Sequence, residues 1–435
     1  MVRSKEKGSG MIQDDYRAAI DIGTTKVCAI LARKRPDHRV ELLGIGVAPC
    51  NGMSRGTVSD PQAVAEAVRS AVSALSEDAG MNIARAYIGL TGSHLQSQNR
   101  WNNVPRDSGM RAVSDQDLAL ALRSAGKVEL GPDRRLLHVI PRTYALDGIH
   151  GVRNPIGMHT SELHIQSHVI TGSVTHIRSL QDAVKAAGVT PLEIVVEPVA
   201  SADAVLTADE REDGAILVDV GGGTSDIAVF YEGAIVHTAV LPVGGFQFTN
   251  DLSIAFSLDF QDAEQLKVEY GTAAPELVGM TDEITIHPTN MDEPLTVTRR
   301  EVGQVLKERV HELFQMIRLK LDEPHLAEVP IEHIVFTGGG AKLEGFLNLA
   351  KFVFQTKVRL ASPRGLDGLP EPNRDPAYSA AVGITLWGMR NLPRENHVSR
   401  PRQTAAVEER GGGVFSALKG WIPGRNKSGE TATRV

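Results

Sequence analysis

Cysteine is nearly absent. Cys28 and Cys50 are the only two in 435 residues, too few for a disulfide framework or a cysteine-rich zinc site, and they suit a reducing compartment. Basic residues are outnumbered, 46 Lys and Arg against 53 Asp and Glu, and the net charge of −7 argues against a nucleic-acid binder that relies on overall positive charge. No run approaches the ~18 uninterrupted apolar residues of a membrane-spanning helix. Residues 1–17 are polar and charged, without the apolar core of a secretion signal. None of the 14 histidines stands in an H-E-x-x-H spacing, the cysteines form no C-x-x-C pair, and neither G-x-S-x-G nor G-x-x-x-x-G-K-[ST] occurs. A catalytic metal centre, a hydrolase nucleophile and a Walker-type ATPase therefore have no support. These absences lead to the expectation of a cytoplasmic protein, unless something holds it to a surface.

What remains is a globular composition. Apolar residues are 42% and charged residues 23%; aromatics are scarce at 5%, so Ala, Val, Ile and Leu supply the core, punctuated by 42 glycines. The length implies two to four domains. Ala18 to Leu31 reads as two apolar strands around a Gly-Thr-Thr turn. Pro61–Ala79 has helical periodicity, with Asp60 as its cap and Gly80 at its end. From about Ala86 to Leu163 an α+β insert is expected, with a strand at Tyr87–Leu90, a helix at Ser114–Ala125 opened by a Ser114/Asp117 capping box, and a strand at Leu136–Ile140. Ala215 to Phe230 then repeats the first hairpin: an apolar strand, an Asp, a Gly/Thr turn, and a second strand. Two such units far apart imply a duplicated domain rather than a solenoid. A helix is expected at Val302–Leu321, a strand at Ile334–Phe336 running into Thr337-Gly338-Gly339-Gly340-Ala341-Lys342, a helix from about Leu343, and a last one at Ala377–Met389.

Asp21 and Asp219 each end a strand immediately before a turn of small residues. Such a turn lets backbone N–H groups and hydroxyls approach phosphate oxygens closely. The carboxylates cannot face phosphate directly without repulsion, so they would hold a hydrated Mg²⁺ between. The third glycine cluster follows a strand and precedes a helix, so its N–H groups suit an adenosine diphosphate moiety. One Gly-rich turn alone is more often only a tight turn; two matched Asp-Gly hairpins and a third Gly loop, in this order, favour a nucleotide.

These segments also carry a resemblance. Ile20-Asp21-Ile22-Gly23-Thr24-Thr25 resembles the first phosphate motif of the actin/DnaK-chaperone/sugar-kinase superfamily, Val218-Asp219-Val220-Gly221-Gly222-Gly223-Thr224-Ser225-Asp226 the second, and Thr337-Gly338-Gly339-Gly340 the adenosine motif. Glu197-Pro198-Val199-Ala200-Ser201-Ala202 resembles the first connecting segment, and Gln261 to Lys267 the helix that approaches ribose and adenine. Leu137-His138-Val139-Ile140-Pro141-Arg142, Asp147-Gly148 and Asn154 to Met158 narrow the likeness to the FtsA family of bacterial cell-division proteins. The resemblance implies an α/β, actin-like (ribonuclease H-like, duplicated) two-domain ATPase fold with an FtsA-type insert, 1C. It implies ATP and Mg²⁺ as ligands, with Asp21 and Asp219 on the hydrated ion and Glu197 orienting water. Gly23, Thr24, Thr25, Lys26, Gly221, Gly222, Gly223 and Thr224 would hold phosphate. Gly338, Gly339, Gly340 and Lys342 would hold the diphosphate end, and Glu264 and Lys267 the nucleoside. No counterpart of the actin-type glutamine or chaperone-type lysine used in hydrolysis is assignable, so turnover would be slow at most.

The implied layout is a disordered segment 1–16, subdomain 1A (17–85, 164–209), 1C (86–163), 2A (210–270, 332–390), 2B (271–331), a flexible linker 391–412, an amphipathic helix 413–424 and a tail 425–435. In the last helix Val414, Phe415, Leu418, Trp421 and Ile422 share one face, and Lys419 is placed to meet anionic headgroups. Docking of that helix on the protein's own body is the alternative, disfavoured by its glycine-rich tether. Arg299 and Arg309 match family positions that receive the C-terminal peptide of FtsZ, although a solvated charged face would explain either one. The implied function is an actin-like protein that polymerises on the cytoplasmic side of the inner membrane at the division site, tethers FtsZ filaments there, and meets other division proteins through 1C. The alternatives are a pilus-assembly platform and a sugar or acetate kinase on the same fold; a DnaK-type chaperone would need a peptide-binding domain that the sequence after residue 390 is too short to supply.

Overall fold

The computed structural model describes residues 16–106 and 109–390. The expected disordered segment (Tyr16 apart), linker, amphipathic helix and tail lie outside the described residues, as do Val414, Phe415, Leu418, Lys419, Trp421 and Ile422. Tyr16, assigned to the disordered segment, instead opens the first strand, Tyr16–Ile22.

Two sheets of the same plan account for the duplication. The first has six strands in the order Thr190–Val196, Arg85–Leu90, Tyr16–Ile22, Lys26–Lys34, Val40–Pro49, Leu366–Asp367; the second has five, Ala234–Leu241, Ser225–Tyr231, Ala215–Val220, His333–Thr337, Lys357–Leu360. Each holds a three-strand antiparallel meander whose first strand also pairs in parallel with a strand on its other side. Those first strands, AAIDI and AILVDV, are buried on both faces, which is why they read as continuous apolar runs rather than alternating ones. The matching register is instructive: Asp21 pairs with Cys28 in the first hairpin, and Asp219 pairs with Asp226 in the second.

Helices Glu197–Val205 and Ser379–Arg390 are buried against each other within the core of the first lobe, which they share with residues of the second sheet such as Leu217 and Phe230. The contact depends on a glycine. A Cβ on Gly383 would lie 1.9 Å from the Ala200 carbonyl oxygen.

The insert is an antiparallel sheet, Ile149–Val152, Arg134–Leu146, Leu163–Ser173, Gln96–Asn103, covered by the helix Asp115–Ala125 with its own small core of Val104, Leu118, Leu122, Tyr144 and Ile165. The Ser114/Asp117 capping box forms, and Arg111 makes a bidentate pair with the same carboxylate. The expected insert edges shift. Arg85–Leu90 pairs in parallel with Tyr16–Ile22 and so belongs to the first lobe, while Leu163–Ser173 pairs with both Arg134–Leu146 and Gln96–Asn103 and so belongs to the insert. Apolar periodicity cannot tell which sheet a short strand joins.

Two helix starts also differ from expectation. Thr298 caps the long helix through a box with Glu301, so it begins at Arg299 rather than Val302. After Gly340–Lys342, a single 3₁₀ turn, Gly345 adopts φ 76° and delays the next helix to Phe346. Among the described residues no helix is long and apolar enough to cross a membrane.

Because the Ala200 carbonyl cannot recede without breaking its helix, Gly383→Ala is expected to destabilise the protein by about 1–3 kcal/mol, the usual cost of overpacking. Thermal unfolding checks this; an unchanged midpoint would show that the two helices are free to separate.

Candidate nucleotide site

Both hairpin turns open on one cavity of about 730 Å³ between the lobes. That volume lies in the range of small-molecule and cofactor sites. The turns are built alike: Gly23 N–H donates to Lys26 O at 2.9 Å, and Gly221 N–H to Thr224 O at 2.9 Å. They also touch each other. A Cβ on Gly222 would lie 2.9 Å from Thr25 Cγ2, and one on Gly223 2.4 Å from Thr24 Oγ1, so only glycine permits this approach. The turn 221–223 is anchored from behind, where Gly245 N–H and Phe246 N–H donate to the Gly221 and Gly222 carbonyls at 2.9 and 2.7 Å.

The other residues singled out in the sequence reach the same cavity. Gly338, Gly339, Gly340, Lys342, Glu264, Lys267 and Glu197 all line it. Gly338 has φ +86° and packs against Asp219, where a Cβ would come 2.4 Å from Asp219 Oδ1. On the helix Phe260–Tyr270, Lys267 pairs with Glu264 at 2.6 Å and donates to Thr249 Oγ1 at 2.8 Å. Lys26 Nζ donates to Ala377 O at 2.7 Å and sits 4.7 Å from the centre of the Tyr378 ring. Lys342 pairs with Asp375 at 2.5 Å.

Four carboxylates, Asp21, Asp219, Asp226 and Glu197, are buried together at this site, the most exposed being Asp219 at 8%. Burial pushes Asp21 up to about 6 from an ordinary 3.8, against the pull of Lys26 and with added repulsion from Asp219. Burial likewise raises Asp219, partly offset by the Ser201 hydroxyl, which donates to Oδ2 at 2.7 Å, and by Lys26. Glu197 is held well above the usual carboxylate range by burial, then by Asp21, Asp226 and Asp219. Asp226 is raised by burial and by Asp219, against a hydrogen bond from Thr91 Oγ1. An acid set so short of cations fits a hard, oxygen-seeking dication better than an empty cavity.

Asp226, Thr91 and Ser201 are members of this cluster that the sequence reading left out. Asp226 stood inside the quoted motif, and its register opposite Asp219 was the available signal; Thr91 arrives from a strand end with no motif. Phe246 and Phe260, stacked with ring centres 4.3 Å apart, also line the cavity. His138, quoted as family text, has a structural role: its Nε2 accepts the Val196 N–H at 3.1 Å, fixing the chain just before Glu197.

The two arginines assigned to a partner are both engaged. Arg299 lines the cavity, pairs with Glu344 at 2.6 Å and donates to the Tyr270 carbonyl at 3.0 Å. Thr298 caps this helix, so Arg299 stands in its first turn, at the cleft. Arg309 is not among the lining residues; it makes a bidentate pair with Asp251 and a single contact, through Nη1, with Glu312 Oε2.

A raised carboxyl costs the folded protein stability above its unfolded value. The cost is absent near pH 4 and grows as pH climbs towards 6. Asp21→Asn is therefore expected to stabilise the ligand-free protein at pH 7.5, by on the order of 2 kcal/mol, with the gain vanishing near pH 4. Urea unfolding at the two pH values reads this directly, and a gain equal at both would remove the electrostatic cause.

The comparisons with known proteins agree with this geometry. A family model described as "Cell division protein FtsA" matches residues 216–383, and one described as "SHS2 domain inserted in FTSA" matches residues 92–171, close to the insert sheet. The Cell division protein FtsA of Pseudomonas aeruginosa is 34% identical over 406 residues, 93% of this chain and 97% of its own length. That of Escherichia coli K12 is 33% identical over 411 residues, 93% and 94%. Among solved structures, the "PilM-PilN type IV pilus biogenesis complex" superposes with a TM-score of 0.61 at 16% identity, covering 86% of this chain and 98% of that one. MreB5 of Spiroplasma citri bound to ADP gives 0.50 at 15% identity, covering 87% and 98%. The fold is thus that of the actin-like ATPases, and this chain belongs to the FtsA family of cell division proteins.

Proposed function

We propose that this chain binds ATP with Mg²⁺ between its lobes and uses the bound nucleotide mechanically, as a membrane-bound filament that tethers FtsZ polymers and helps recruit the division machinery. The observation that carries the reading is the contact of two Gly/Thr turns, from the two halves of a duplicated fold, beside four buried carboxylates. Asp21 and Asp219 would hold the ion through water, and the ion would supply charge neutralisation for the phosphates. Gly23–Lys26 and Gly221–Thr224 would take the phosphates on backbone N–H groups and hydroxyls. Gly338–Gly340 with Lys342 would take the diphosphate end, and Glu264 with Lys267 the nucleoside. Glu197, whose carboxyl burial holds well above the usual range, would orient water.

The residues 413–424 would fold on anionic lipid on the cytoplasmic face of the inner membrane at the division site. An anchor of so few residues before Pro423 would be weak by itself, and self-association into filaments would supply avidity. The long helix Arg299–Leu321 would receive the FtsZ C-terminal peptide at Arg309, whose pairing with Asp251 the peptide would have to displace; Arg299 could join only by leaving Glu344. The insert would carry contacts to other division proteins.

Asp219→Ala is expected to weaken ATP binding on the order of tenfold or more in calorimetry, the size of a lost charge-assisted interaction; unaltered affinity would take Asp219 out of the site. Truncation before Val414 is expected to abolish co-sedimentation with anionic liposomes, with or without ATP and an FtsZ tail peptide. Equal pelleting of the truncated and full chains would overturn the anchor.

A further inference from the structure

At the edge of the second sheet, away from the cleft residues, three metal-ligating side chains converge. The edge strand Ala234–Leu241 carries His237, 8% exposed. The single turn Pro324–Leu326, reached from the end of the long helix, carries His325, with Glu323 immediately before it. His237 Nδ1 and His325 Nε2 lie 3.0 Å apart, and one ligating atom from each of His237, Glu323 and His325 lies within 4.8 Å of the other two. His237 Nε2 is buried with no hydrogen-bond partner among the described residues, so no second contact pins its tautomer and Nδ1 can present a lone pair. Glu323 Oε1 accepts from Lys320 Nζ at 3.0 Å, while Oε2 stands 3.8 Å from His325 Nδ1.

We propose that His237, His325 and Glu323 form a binding site for a divalent transition-metal ion of the zinc type, with water completing the coordination. Two imidazoles and one carboxylate suit a borderline ion such as Zn²⁺, whereas Mg²⁺ takes oxygen ligands. Two nitrogens at ~2.0–2.1 Å from a tetrahedral ion stand roughly 3.3 Å apart, so the half-exposed His325 needs only a small shift. A neighbouring histidine, His168, is committed elsewhere: its Nδ1 contacts Asn99 Oδ1 at 2.8 Å and its Nε2 contacts Thr238 Oγ1, beside His237, at 3.1 Å. Occupancy would fasten the 323–326 turn to the strand on which the insert rests, since Asn99 Nδ2 donates to Val236 O and Ser97 Oγ to Thr238 O. The competing account is a bare N–H···N hydrogen bond between the two histidines.

The test uses the full chain, nucleotide-free, with excess Mg²⁺ to occupy the cleft carboxylates, titrated with Zn²⁺ against a chromophoric chelator and with Co²⁺ for its visible absorption. The expected result is one Zn²⁺ per chain and an intense Co²⁺ band. His325→Ala alters a half-exposed side chain and should leave folding intact; it and Glu323→Gln are each expected to lose affinity on the order of tenfold or more. Asp219→Ala should bind Zn²⁺ like the unaltered chain. Zn²⁺ should raise the unfolding temperature of the unaltered chain and not that of His325→Ala. No stoichiometric binding, or binding unchanged in both His325→Ala and Glu323→Gln, overturns the proposal.

Discussion

The rest of the structure depends on one electrostatic conflict. Four carboxylates are buried around a single cleft beside turns that have almost no side chain. Burial raises every one of the four, and Lys26 is the cation that opposes this at Asp21 and Asp219. Carboxylates perturbed in this way cluster at functional sites. The glycine turns supply the complementary half, with backbone donors brought close to where an anion would lie.

The duplication explains why the conflict falls between the lobes. Each half contributes an aspartate at the end of a central strand and a turn beyond it, so the two aspartates and the two turns come together when the halves pack. The halves are not equal. Opposite Asp21 stands Cys28, fully buried, its thiol pushed up by burial; opposite Asp219 stands Asp226. The second hairpin thus carries a further acid, which repels Asp219 and is held by Thr91 from the first lobe. That hydrogen bond links the acid of the second hairpin to the end of strand Arg85–Leu90 in the first lobe. The buried pair of helices at residues 197–205 and 379–390 packs Gly383 against Ala200 inside the first lobe's core, which also takes in Leu217 and Phe230 of the second sheet.

The insert belongs to the first lobe by chain connection but leans on the second by contact. Ser97 and Asn99 donate to the edge strand 234–241, and Arg153 makes a bidentate pair with Glu212. An exposed edge strand invites pairing with another chain, and here the insert covers part of it with side-chain contacts rather than a continued ladder.

The sequence by itself determined the repeated hairpins, the third glycine loop, the capped helices and the acid at the end of each central strand. All of these are local: turn chemistry, capping and apolar runs act over a few residues. It was silent or misleading wherever contact order was high. The strand Arg85–Leu90 reads the same in either sheet, and only its parallel pairing with Tyr16–Ile22 assigned it to the first lobe. Arg299 reads as an ordinary surface arginine until folding brings Glu344, 45 positions away, against it. Asp226, Thr91 and Ser201 come from three distant segments, and His237 and His325 are 88 positions apart with no motif spacing. Which charges share a cleft, and which imidazoles face one another, are decided by packing alone, because burial and proximity are properties of the folded chain and leave no periodic trace in its sequence.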